Sequence, residues 1–458
     1  MVKFLNLLKK FLLMKRFWLQ CLSITVFVFV MMWGLNKITD LKLFNAFDPI
    51  SQALADFKMS DYAFSNLRPD PLVDERIVIV NIGNLSRREV AQQINIIRQF
   101  KPRVIGVDSF FDCEGRLRDS VNCPALLDTL GNLLLADAIK EAGNVVLVSK
   151  LLQKTKTAFD EDAIGYDSLE FSDIEFRLYA KNGFANLLTD ASYQEDVKQC
   201  RSFVPKYKVS DEEHHAFAVE MCMMFDSAKT KRFLARNKEE EIVNYRGNVE
   251  IQDIRLKTVR QLETATTRYP QMFYAIDVDQ VLNGDFDPSL FKDRIVIMGF
   301  LGEYFGDPSW SDKYFTPLNK KVAGRANPDM FGVVVHANIA AMILNEDYVD
   351  ELALWQQIAI AIIICFFTVS IFIVIDTRLP MWFDTLSVII QVGQILAISI
   401  LIVYAFASWS YVLELTLSLA ASALVGPCYD IYKGFKNQIT IWQYKRRLTK
   451  SESEVLKE

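Results

Sequence analysis

Few residues of this chain are of a type and spacing that could do chemistry. Its three histidines, His214, His215 and His336, and its seven cysteines, with no CxxC among them, offer no zinc spacing. No Ser or Cys stands in a GxSxG-type elbow that would expose a nucleophile. What remains is a set of polar residues at the ends of short apolar runs: Asn81 after Ile77–Val80, Asp108 after Val104–Val107, and Gly299 through Gly302 to Asp307 after Ile295–Met298. His336 stands between Val335 and Ala337. Two acids and an imidazole are parts of a hydrolase, but without a nucleophile a ligand-binding rim is the stronger reading, with Asn81, Asp108, Gly302, Asp307 and His336 as its candidates. The glycines either expose backbone N–H groups to an anion or make tight turns, and a spacing that is neither a phosphate loop nor GxGxxG favours turns. Asp108 is either a ligand or a loop cap, and His336 reads as a buried hydrogen-bonding residue at a strand-to-helix junction. A non-enzymatic chain with no metal and no cofactor is the expectation.

The elements that must position these residues are legible as periodicity. The runs Ile77–Val80, Val104–Val107, Val145–Val148 and Ile295–Met298, with Val333–Val335 as a shorter one, are continuously apolar, as strands are when helices cover both faces of a parallel sheet. Arg87–Phe100 places Val90, Ile94, Ile97 and Phe100 on one helical face, and Leu133–Ala142 is helical before the third run. The order strand, helix, strand, helix, strand predicts an α/β domain with a mostly parallel sheet and helices on both faces, whose ligands meet the carboxyl ends of the strands. Glu213–Met224 reads as a helix with an apolar face, and Asp160–Asp173 and the charge run Lys229–Glu241 as solvated surface.

The 458 residues include 51% hydrophobic and 23% charged ones, which excludes a disordered chain and points towards lipid. Residues 17–35 form an uncharged apolar stretch long enough to be an uncleaved anchor. A second hydrophobic block divides into 352–375, 386–407 and 411–428, giving four expected transmembrane helices. The formal net charge of −5 hides a segregation. Residues 1–16 carry five Lys/Arg and no acid, and residues 429–458 carry seven Lys/Arg against four acids; removing these +5 and +3 ends leaves −13 between them. Basic ends favour the cytoplasm and an even number of spans, which exports the acidic region 36–350. A nucleic-acid partner does not fit this distribution. In an oxidising compartment Cys113 and Cys123 either pair across a short loop or remain free buried thiols.

Several of these segments, in order, resemble one family. RIVIVNIG (76–83), KPRVIGVDSFF (101–111), LADAIKEAGNVVLVSKL (135–151), NYRGN (244–248), FYAIDVDQVLNGDF (273–286), FKDRIVIMGF (291–300), Asp307, TPL (316–318) and FGVVVHANIAAMIL (331–344) are similar to the CHASE type-two extracellular sensory domain over most of 62–344. The closely spaced C-terminal spans add to the likeness. The resemblance implies a bacterial sensory module outside the inner membrane, coupled through its spans to a cytoplasmic output. Two departures stand out: Ile82-Gly83 occupies a position where such domains often carry Ile-Asp, and the chain ends about 30 residues after the last expected span, too few for a catalytic domain.

The expected function is a multi-pass inner-membrane sensor, with a periplasmic domain and cytoplasmic termini, that hands its signal to a separate protein. A structural subunit of an envelope complex, with no small ligand, is the alternative, and homo-oligomerisation fits either. Glu414 near a span end, and Trp442, Lys445, Arg446 and Arg447 in the basic tail, are the expected partner contacts.

Overall fold

The computed structural model describes residues 15–39, 61, 64–65, 67–68, 71–113, 123, 125, 127–153, 165–189, 199–251, 271–307, 309–319 and 327–455. It divides into two compact units, Ala55–Val349 and a second formed by Met1–Leu54 with Asp350–Glu458.

The larger unit is built on an eight-stranded sheet. Strands β1 (Ile77–Asn81), β2 (Val104–Val107), β3 (Val145–Gln153), β4 (Tyr166–Phe171) and β5 (Lys181–Phe184) come first. Two small antiparallel pairs lie off the sheet: β6 (Ser202–Phe203) with β9 (Glu241–Ile242), and β7 (Lys206–Val209) with β8 (Glu212–His215). β10 (Asn248–Ile251), β11 (Gln271–Ile276) and β12 (Ile295–Gly299) then return to it. The order is β10-β11-β1-β12-β2-β3-β4, with β5 also beside β3, and every pairing except β3–β4 is parallel. The late strand β12 is therefore inserted between the first two, with Ile297 opposite both Ile79 and Gly106.

Because β1, β2 and β12 are buried at every position, both faces of the sheet must be covered. On one face Val78, Val80, Ile105, Val107, Val296 and Met298 pack against Val90, Ile94 and Ile97 of the Arg87–Arg98 helix and Leu135 and Ile139 of the Thr129–Ala142 helix. The Arg87–Arg98 helix starts at a capping box in which Ser86 and Glu89 satisfy each other's backbone N–H groups. The alternate residues, including Asn81, Gly106 and Gly299, face the Phe217–Phe225 and Gly332–Asn345 helices. Glycine is required where those helices come close. A Cβ on Gly299 would lie 2.6 Å from Val333 Cγ2, and one on Gly106 would lie 2.9 Å from the Phe217 ring.

Val333–Val335 is not a strand: it lies inside the Gly332–Asn345 helix, preceded by the strand pair β13 (Lys313–Tyr314) and β14 (Met330–Phe331). All residues from Gly332 to Leu344 are buried, so the sequence has no polar stripe by which a helical period could show. Glu213–Met224 is not one helix either, because β8 occupies its start and the helix begins only at Phe217. The charge run at Lys229–Glu241 is partly engaged: Lys229 Nζ donates to the Leu344 carbonyl at 2.6 Å and Arg232 pairs with Glu346 at 2.6 Å.

The smaller unit holds the apolar helices. Lys15–Leu35, Leu354–Arg378 and Pro380–Trp409 are long and apolar enough to cross a membrane. Their outward surfaces are apolar, with Leu22, Val26, Ile363, Phe367, Val392 and Leu396 exposed, as lipid contact requires. The fourth expected span is not among them. Tyr411–Val412 forms β16, paired in parallel with β15 (Asp350–Glu351), and the next helix begins at Thr416 and continues for 40 residues to Val455, with Pro427 inside it. Serines, Pro427 and Asp430 dilute its hydropathy, yet it packs as a core element: Ala421, Val425, Cys428 and Tyr429 join Cys21, Ile24, Val28, Cys365, Val369 and Phe372 in one cluster. Trp18 stacks on Phe366 with centroids 5.5 Å apart.

Candidate functional site

The carboxyl ends of β11, β1, β12 and β2 form a rim, and Asn81 is its clasp. Asn81 is fully buried at the end of β1, where its Nδ2 donates to Asp277 Oδ1 at 2.8 Å and to the Gly302 carbonyl at 3.0 Å. Its Oδ1 accepts from the Gly83 and Leu301 N–H groups, each at 2.9 Å. All four hydrogen-bonding positions of the amide are used within the protein, so Asn81 joins the exits of β1, β11 and β12. Asp277 in turn caps the Val278–Asn283 helix, in a capping box with Gln280. The D-V-D-Q spacing at 277–280 is a signature from which this acid could have been found in the sequence.

The loop leaving β12 turns sharply. Gly302 has φ +97°, and a Cβ there would lie 2.6 Å from Asp307 Cβ, so both backbone and space demand glycine. Asp307 closes this loop on itself: its carboxylate accepts from the Glu303 N–H at 3.1 Å and the Ser309 N–H at 2.8 Å. Those backbone donors hold it below the usual carboxylate range. Lys313 Nζ donates to the Asp307 carbonyl at 2.7 Å and lies over the Phe331 ring, and burial lowers its pKa.

Asp108 differs from these. Its backbone N–H continues the ladder to the Met298 carbonyl at 2.7 Å, and it lies at the level of Gly299 and Val333 on the same sheet face as Asn81. No described residue donates a hydrogen bond to its carboxylate, the residue as a whole is partly exposed, and burial of the carboxyl group pushes it up to about 7. Tyr314, half-buried beside it, is pushed up by burial and by Asp312, Cys200 and Asp108. Asp329, also raised to about 7 by burial, is by contrast well bonded, to Thr316 through its N–H at 2.8 Å and its hydroxyl, and to Asn319 Nδ2 at 3.2 Å. Two exposed aromatic residues, Tyr304 and Trp310, belong to the same loop. A part-buried carboxyl group that no described residue donates to, beside a phenol and with exposed aromatic side chains on the loop after β12, is a surface suited to binding a polar or cationic ligand. Tyr304, Trp310 and Tyr314 carry no spacing signal that marks them in the sequence.

His336 lies buried in the Gly332–Asn345 helix, edge-on to Phe217 at 5.3 Å, and among the described residues its Nδ1 has no hydrogen-bond partner. Burial lowers it to about 4, which makes it a neutral core imidazole. Cys113 and Cys123 are joined as a disulfide, while Cys200 and Cys222 are buried thiols. The disulfide follows β2, and Asp112 next to it in the chain lines a cleft with Phe171, Ser172, Asp173 and Arg177. Asp112, Cys113 and Asp173 have metal-ligand character, but the sulfur of Cys113 is committed to the disulfide. Glu414 is partly exposed between β16 and the last helix, and Trp442 is exposed on that helix. Lys445, Arg446 and Arg447 follow on it, with side chains outside the described residues.

No curated protein and no solved structure matches the chain. A family model, described as the CHASE2 domain, matches residues 25–373 and so takes in the sheet, its rim and part of each flanking apolar helix. The chain is accordingly a member of the CHASE2 domain family, a sensory one.

Proposed function

We propose that this protein is a non-enzymatic membrane sensor that reads a ligand or envelope state at the carboxyl rim of its sheet and passes it through its spans to a separate partner protein. Membership of a sensory family supports the sensing role. The observation that best supports transmission is the course of the Gly332–Asn345 helix. Its first N–H, at Gly332, donates to the Asp312 carbonyl of the rim loop at 2.9 Å. Cations hold its far end: Arg76 Nη1 and Lys229 Nζ donate to the Leu344 carbonyl at 3.2 and 2.6 Å, and Arg76 Nη2 to Asn345 Oδ1 at 2.6 Å. Cations there complement the negative end of the helix dipole. Leu354, where the first C-terminal apolar helix begins, follows nine residues after Asn345. A buried rod with one end at the rim and the other leading to a span suits a rigid-body shift.

In this reading the domain is periplasmic, both termini are cytoplasmic, and the Thr416–Val455 helix supplies the fourth crossing before its tail, through Trp442 and the following basic residues, meets the partner. The charge segregation and the packing of that helix among the other three support it.

A thermal-shift screen of intact detergent-solubilised protein tests the sensing half. A ligand at 100 times its Kd should add about 2.7 kcal/mol, and Asp108→Asn should reduce that gain. A protein that responds to no small molecule or ion, but is stabilised by a co-purifying envelope protein, would instead be a scaffold.

A further inference from the structure

We infer that the β7–β8 hairpin is a pH-sensitive latch, pinned to the Phe217–Phe225 helix by the imidazolium of His215 and released when that ring loses its proton. Strand alternation puts Glu213 and His215 on one side of β8. The imidazole is only 19% exposed and has a carboxylate at each nitrogen: Glu220 Oε1, from the helix, lies 2.7 Å from Nδ1, and Glu213 Oε1 lies 3.5 Å from Nε2. A neutral imidazole donates from one nitrogen and turns a lone pair on whatever faces the other. The imidazolium donates from both, so only the charged ring satisfies both acids. On β7, Lys206 stands opposite His215 in the ladder, with its Nζ 3.1 Å from the Glu213 carboxylate, while Lys208 is exposed and paired with Asp211. β5, which packs against β8, brings one titratable side chain, the exposed Lys181, and no acid. His214, on the other side of the strand, lies 4.0 Å from Glu212, which is 83% exposed, so water screens that contact.

The Glu220 hydrogen bond outweighs the burial that favours a neutral ring and, with Glu213, raises the imidazole above its ordinary 6.5. A raised folded-state value gives a contribution that is complete below 6.5 and is lost as pH rises through that value. The latch is therefore shut in acid and opens towards alkaline pH. Its other end is held as well: the Tyr207 hydroxyl of β7 accepts from the Tyr166 N–H at 3.1 Å, and the two rings meet edge-on at 5.2 Å, where β4 begins. The hairpin thus joins an edge strand of the sheet to the Phe217–Phe225 helix. That helix packs on the Gly332–Asn345 helix, with Cys222 Sγ 3.6 Å from the Ala340 carbonyl and the Phe217 ring edge-on to His336. Opening the latch frees the start of one helix of this pair without involving the rim residues, so the inference needs no ligand there.

Hydrogen exchange of the full chain in detergent, corrected for its intrinsic pH dependence, tests the latch. Peptides covering 206–216 should exchange roughly threefold faster or more at about pH 9 than at about pH 6, with a midpoint above 6.5. His215→Gln should leave the hairpin in the fast state at both pH values, and His214→Gln should leave the midpoint unchanged. Histidine-selective 15N labelling of the wild type reads the ring directly: the signal lost in His215→Gln should titrate above 6.5, and Glu220→Gln should lower its midpoint. Wild-type exchange indifferent to pH overturns the inference. So does a midpoint that survives His215→Gln or moves with His214→Gln, or a His215 ring that titrates at or below 6.5.

Discussion

Gln391 donates from its side-chain amide to the Ala423 carbonyl at 3.1 Å, the carbonyl that Pro427, four residues later, leaves without a backbone donor. The same amide reaches the Ser422 carbonyl at 2.9 Å, and Gly426 gives it room, because a Cβ there would lie 2.6 Å from Gln391 Oε1. Proline is tolerated inside an apolar bundle when a neighbouring side chain satisfies the freed carbonyl. A polar residue in one apolar helix thus compensates for the break in another.

This pairing predicts a coupled pair of effects. Gln391→Leu should destabilise the detergent-solubilised protein by about 1 kcal/mol. In a Pro427→Ala background, where the backbone N–H returns, the same substitution should cost clearly less. A double-mutant cycle by SDS-titrated unfolding measures the difference, and strict additivity would refute the compensation.

Gly299→Ala should destabilise the domain by about 1–3 kcal/mol, because its Cβ would lie 2.6 Å from Val333 Cγ2. Val333→Ala in the same chain should recover part of the loss by removing that methyl. Thermal unfolding of the four combinations is the measurement.

Asp108 makes the pH dependence of stability predictable in sign. Its folded-state value of about 7 lies above the unfolded carboxylate value of 3.8, so the folded state binds more protons between the two. That contribution is fully present below the unfolded value and is lost as pH rises towards 7. Asp108→Asn should therefore flatten the decline of melting temperature across that window. His336, lowered from 6.5 to about 4, acts in the opposite direction, losing stability as pH falls from 6.5. His336→Gln should flatten that lower-pH fall.

Arg76→Ala should cost about 2 kcal/mol, because Asp74, only 5% exposed, loses its ionic partner and the helix end loses two donors. Arg232→Ala, which removes an exposed pair with Glu346, should have a much smaller effect. Chemical denaturation ranks the two. Equal losses would show that the buried acid is not what Arg76 protects.

Much of the fold was legible because local periodicity is a local property. The strands at Ile77, Val104 and Ile295 and the helix at Arg87 stand where their apolar spacing places them, since each has a neighbour on either face and punctuation at its ends. Val333–Val335, inside the Gly332–Asn345 helix, has the apolar pattern of a strand because uniform burial erases the contrast on which a helical period depends. The rim was legible only as a set of strand ends. That Asn81 is internally satisfied depends on Asp277 and Gly302, which lie 196 and 221 residues away.

The sequence by itself determined the class of the protein: an α/β domain with apolar helices, a charge distribution that favours basic ends in the cytoplasm, and the order of segments that marks the family. Tertiary structure alone decided that β12 enters between β1 and β2, that His336 is a core residue, and that Asn81 is satisfied within the protein while Asp108 has no described donor to its carboxylate. Strand order, burial and satisfaction are set by which distant segments meet, and no residue's neighbours in the chain specify that.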